Sequence, residues 1–154
     1  MFEFLQPPGW AKPSGYANGI AARGKMIFVA GQIGWNEQCK FETDDLVEQT
    51  GQTLKNVAAV LRAGGAGPEH IVSMTWFLLD RKEYSARLKE IGVAYRDVMG
   101  RNFPAMTALQ VSGLIEDRAK VEIQAIAMIP DEMNRQRDAG HGASTGGRHG
   151  NESS

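Results

Sequence analysis

Two helical stripes are all that this sequence offers to cover a sheet built from five strand-like runs, and that imbalance limits the folds open to it. Leu46, Thr50, Leu54, Val57 and Leu61 recur at three- and four-residue steps, the apolar face of a helix of roughly five turns. Thr43 is its expected N-cap, Asp44 and Asp45 sit where the helix dipole favours anions, and Gly64-Gly65 supplies a stop before Pro68. Tyr84, Leu88, Ile91, Tyr95 and Val98 repeat the stripe until Gly100 ends it. The strand-like runs are Gly19 to Ala22, Met26 to Gln32, Ile71 to Leu79, Phe103 to Leu114 and Lys120 to Ile129. Arg23-Gly24-Lys25 reads as the turn of a hairpin between the first two, and Glu116-Asp117-Arg118 as the polar turn joining the last two. The order is ββ-α-β-α-ββ, an α+β chain with a mostly antiparallel sheet and both helices on one face. The other face is mixed rather than charged. Packing against further copies of the same sheet is the expected cover, with a small-molecule cleft where the copies meet.

The 154 residues suit one ordinary domain, placed at 1–131. Residues 132–154 contain no Val, Ile, Leu, Phe, Tyr or Trp but five glycines, and are expected to be a disordered tail. The tail's His141 and His149 fall short of the four preorganised ligands of a structural metal site. A formal net charge of -1 without a basic stripe argues against a nucleic-acid partner. No apolar run approaches the roughly 20 residues needed to cross a bilayer, so no membrane partner is expected. The opening Met1 to Pro8 lacks a basic segment and is broken by prolines, so no secretory signal is expected; with the single Cys39, this points to a reducing cytoplasm.

The usual catalytic signatures are missing. His70 is the one histidine of residues 1–131, in a Pro-Glu-His run that reads as a surface loop, and no Ser or Cys partner is suggested for it. Cys39, in the polar stretch Asn36 to Lys40, reads as an exposed, inert thiol. Gly64-Gly65-Ala66-Gly67 follows a helix and lacks the Lys-Ser/Thr of a phosphate loop, and no zinc spacing or dinucleotide fingerprint occurs. Neither a cofactor nor a metal is expected. Trp76 reads as core, whereas Trp35, just after Gly31, is placed to close over an apolar ligand. Four segments remain: Gly15-Tyr16, Ala30-Gly31-Gln32-Ile33, Phe103-Pro104-Ala105-Met106 and Val121-Glu122-Ile123-Gln124. Singly they read as a core-edge aromatic, a strand bend, a strand opening and a solvent-facing acid.

Taken together and in order, these segments and the block Asp45 to Val57 resemble the Rid family (YjgF/YER057c/UK114) over about residues 12–130. The resemblance implies a chorismate-mutase-like fold, a homotrimer with three clefts between subunits, and cofactor-free hydrolysis of enamines or imines to a carbonyl product and ammonia. It also implies that Tyr16 lines the cleft, that Gln32 and the backbone at Gly31 bind the substrate, and that Glu122 positions or activates water. Three cleft positions depart from the family pattern. Met106 stands where an arginine usually follows Pro-Ala and clamps a carboxylate, Ala108 replaces a frequent cysteine, and Gly92 a frequent asparagine. Losing a bidentate arginine–carboxylate contact weakens binding about ten- to a hundredfold. The substrate is therefore expected to be anchored differently, with Arg23, Lys25 and Arg101 as the other cations available. The alternative is a non-catalytic trimer that binds a metabolite or partner at the same cleft. The ribonuclease label carried by older family members is not expected to apply, because residues 1–131 hold no histidine pair for acid–base cleavage.

Overall fold

The computed structural model describes residues 2–131. Its elements, in order, are β1 (Glu3–Phe4), β2 (Ile20–Ala21), β3 (Gly24–Ile33), α1 (Leu46–Ala63), a 3-10 turn (Pro68–His70), β4 (Ile71–Leu78), α2 (Arg81–Ala86), α3 (Leu88–Met99), β5 (Ala105–Gln110) and β6 (Val121–Pro130). The four long strands form a sheet ordered β3-β6-β4-β5. β6 runs antiparallel to both neighbours, and β4 and β5 are parallel, joined through α2 and α3. The expected α+β arrangement is present, with helices on one face of the sheet. The expected tail, 132–154, lies outside the described residues.

The core follows from the two periods. Val121, Ile123, Ala125, Ala127 and Ile129 alternate along β6 and meet Leu54, Val57 and Leu61 of α1 in one buried cluster. Full burial of each such Leu or Ile contributes about 1.5–3 kcal/mol, an upper figure for a chain that is partly compact before folding. Met74, Trp76 and Leu78 of β4 face the same layer, joined by Ile91, Tyr95 and Met99 of α3. The opposite face is open. Phe28, 69% exposed, and Met26, 48% exposed, lie there on β3 beside Ile126, Ser73 and Thr75.

The structure corrects several local expectations. The runs around Arg23-Gly24-Lys25 do not pair as a hairpin: β2 pairs with β1, and β3 pairs with β6 from Gly24–Pro130 onward. Gly24 is needed for close approach, since a Cβ there would lie 1.9 Å from the Ile129 carbonyl oxygen and the residue has φ +147°. β5 is shorter than expected and does not neighbour β6, because β4 lies between them. The N-cap of α1 is Asp45, whose carboxylate accepts from the Glu48 N–H at 3.0 Å; Thr43 instead accepts from the Asp45 N–H. The second helical stripe breaks at Arg87, which leaves helical geometry between α2 and α3 while its guanidinium bonds Asp45 and Glu90. His70 is buried, not a surface loop residue, and its Nδ1 accepts from the Gly67 N–H at 3.0 Å. No helix among the described residues is long and apolar enough to cross a membrane.

Candidate functional site

Tyr16 is held at the β5 edge by its neighbours. Gly15, at φ +77°, turns the chain, and the Ala17 N–H donates to the Pro104 carbonyl at 2.9 Å, so Ala17 bridges in parallel to Ala105. Met106 and Ala108 point to the helix side of β5, because they register with Met74 and Trp76 of β4. These three side chains line one cavity of about 820 Å³ together with Gly92, Arg96 and Arg101. Its floor is aromatic. Trp76 packs against Tyr84 and Tyr95, each with ring centroids 6.3 Å apart, and Tyr95 stacks on Phe103 at 5.6 Å. The Tyr95 hydroxyl donates to the Asn102 carbonyl, fixing the ring. Burial raises both the Tyr84 and Tyr95 hydroxyl pKa values above that of an ordinary phenol, so both remain neutral hydroxyls well into alkaline pH. Trp76 is 4% exposed, and its indole N–H has no acceptor among the described residues.

Gly31, Gln32 and Glu122 lie elsewhere. They line a second cavity of about 250 Å³ with Trp35, Ile115 and Glu116. The β3–β6 register slips between Val29 and Gln32, and this bulge turns the exposed backbone at Gly31 toward Glu122. A Cβ at Gly31 would lie 2.2 Å from the Glu122 Oε1, so only glycine leaves room for the carboxylate there. The Glu122 carboxylate has no hydrogen-bond or ion-pair partner among the described residues. Gln32 is tied locally, its Nε2 donating to the Ala30 carbonyl at 3.2 Å.

The two cavities share no residue, and they open on opposite faces of the sheet. Met106 and Ala108 face the helices, whereas Glu122, between the core-facing Val121 and Ile123, faces the open side. One chain therefore brings Tyr16, Met106 and Ala108 together, and separately Gly31, Gln32 and Glu122, but not all six.

The other candidates are dispersed. Cys39 is exposed, at φ +59°, in a turn whose backbone N–H groups at Gln38 and Lys40 donate to Asn36 Oδ1. Arg23 pairs with Asp131 at 3.2 Å and Lys25 is exposed on β3, so Arg101 alone of the three proposed cations reaches the Met106 cavity. Trp35 packs on Phe41 with centroids 6.0 Å apart beside the Glu122 cavity. Arg96 was not anticipated, although its four-residue spacing from Gly92 on one helix was the available signal. Among the described residues no three His, Cys, Asp or Glu side chains gather as a metal would require.

Residues 11–129 match the family model described as Endoribonuclease L-PSP. A RutC family protein of Pyrococcus horikoshii is 35% identical over 129 residues, covering 82% of this chain and 98% of the relative. TdcF of Escherichia coli, named for reactive intermediate deamination, is 31% identical over 128 residues, covering 83% and 95%. A solved Rid family structure, YyfB of Yersinia pestis, superposes with a TM-score of 0.70 at 26% identity, covering 83% and 98%. By the family model that matches residues 11–129 and by these relatives, this chain, with its glycine-backed Glu122 opposite the β3 bulge, belongs to the Rid (YjgF/UK114, Endoribonuclease L-PSP) family.

Proposed function

We propose that the protein is a hydrolytic deaminase of a small, reactive enamine or imine, working at clefts where the Tyr16–Met106 cavity of one copy meets the Glu122 cavity of another in a homotrimer. The observation that supports this reading is that the candidate residues divide between two cavities on opposite faces of one sheet. An open sheet face bearing Phe28 and Met26 supports association of copies. The family resemblance and the name of TdcF support the chemistry.

An imine carbon is already electrophilic, so the site needs to hold it, exclude competing orientations and deliver water. The unpaired Glu122 carboxylate takes a proton from water as the oxygen attacks the protonated C=N carbon, giving a carbinolamine. Return of that proton to nitrogen lets the C–N bond break as Glu122 takes up the hydroxyl proton, so that one water and one protonated imine yield a carbonyl, ammonia and the proton first carried by the imine. Positioned acid–base groups contribute about 10²- to 10⁴-fold. Met106 replaces the cation that the family resemblance leads one to expect at that place, so the substrate is held by other contacts.

The test is ammonia release from freshly generated imines, with buffer hydrolysis as the baseline. Wild type should accelerate release, and Glu122→Gln should lower the rate by about 10²-fold or more. Rates equal to buffer on every imine, unchanged by Glu122→Gln, would point instead to a trimer that binds a metabolite without turning it over.

A further inference from the structure

The Met106 cavity carries two cations, both away from Met106 itself. Arg96 and Arg101 both line it, and neither side chain has a hydrogen-bond or ion-pair partner among the described residues. Arg87, Arg118 and Arg23 are engaged by Asp45 with Glu90, by Asp44 and by Asp131, while the side chains of Arg62 and Arg81, away from this cavity, are also unpaired among the described residues. Gly92 leaves open space beside Arg96. Its missing Cβ would lie 3.2 Å from the Arg96 Nη1, so the guanidinium rests over bare helix backbone one turn back. An asparagine at 92 would compete for that space.

The rest of the wall is apolar. Trp76, Tyr84, Tyr95 and Phe103 present rings, Leu88 and Ile91 add aliphatic surface, and the two phenols are neutral.

We infer that Arg96 and Arg101 are the anion-holding pair of this cavity and that its occupant is an organic carboxylate with a large apolar body, aromatic or branched aliphatic. This assignment rests on the deaminase reading for the reaction, but binding tests it independently. The carboxylate pairs with the guanidinium groups at the rim while the apolar body covers the ring floor beside Met106, whose thioether suits an irregular apolar contact.

Calorimetric titration with phenylpyruvate, its neutral amide and pyruvate checks the assignment on the full-length protein. Wild type should bind phenylpyruvate at least tenfold more tightly than either comparison ligand. Arg96→Ala and Arg101→Ala should each weaken phenylpyruvate about tenfold and leave the amide unchanged, with Arg96→Lys recovering part of the loss. Gly92→Asn should act like Arg96→Ala. Equal binding of acid and amide by wild type, or an acid-to-amide ratio unmoved by both arginine variants, overturns the inference, as does pyruvate binding as tightly as phenylpyruvate. Imine turnover with an unmoved ratio would sink this assignment and leave the deaminase reading standing. The expected ratio without turnover would do the reverse.

Discussion

Gly24 and Gly31 both lie where an added methyl group would strike β6, but they would strike different parts of it. At Gly24 the obstacle is the Ile129 carbonyl, 1.9 Å away and fixed in the backbone, and φ is +147°. At Gly31 it is the Glu122 carboxylate, the end of a side chain that can swing aside. Gly24→Ala should therefore lower the melting temperature, at a cost of about 2 kcal/mol or more, while Gly31→Ala should fold nearly as well and lose deaminase turnover. Thermal melts with rate measurements separate the two. At this scale the sequence was readable only in part. Tyr16, Gly31 and Glu122 stood out through resemblance, and composition alone would have left Glu122 a solvent-facing acid. His70 misled because Pro-Glu-His is locally polar, whereas its burial comes from the Nδ1 contact to Gly67 and from tertiary packing. Arg96 was hidden because whether a helix-surface arginine meets a cavity depends on how α3 lies against β5.

Among the elements, α1 shows how a cap and an ion pair combine. Asp45 accepts from the Glu48 N–H and also binds Arg87, which in turn holds Glu90. The Arg87 guanidinium holds the Asp45 and Glu90 carboxyl groups below the usual carboxylate range, and Arg118 does the same for Asp44. A carboxyl whose pKa is depressed by folding stabilises the fold above its unfolded value and loses that contribution as pH falls through the folded value. Stability should thus decline below about pH 4. Asp45→Asn keeps a good cap and loses the charge, so it should cost under about 1 kcal/mol at neutral pH and flatten the acid decline. Asp45→Ala loses both and should cost about 1–2 kcal/mol. Urea unfolding at pH 7 and pH 3 resolves these. The helical stripes themselves were legible because their period is local. The pairing of β3 was not, since a glycine between two apolar runs looks alike whether it turns a hairpin or lets a distant strand approach, and only the non-local contact to Ile129 distinguishes them.

For the whole molecule, the count of stripes against strands foretold the open sheet face, because two amphipathic helices cover one side of a sheet and no more. Phe28 and Met26 sit on that face, within an apolar surface that a lone soluble chain rarely leaves bare. Light scattering should give a particle near three times the 16.8 kDa chain mass, and Phe28→Asp should shift it toward the single-chain value. A wild-type particle at the single-chain mass would contradict the shared cleft. If the copies close into a ring through these faces as proposed, each copy would serve two sites, lending its Tyr16 side to one and its Glu122 side to the other. Damage to one chain is then never private to that chain, and a defective copy mixed with sound ones would behave as a dominant lesion whose severity depends on which of its two faces is spoiled.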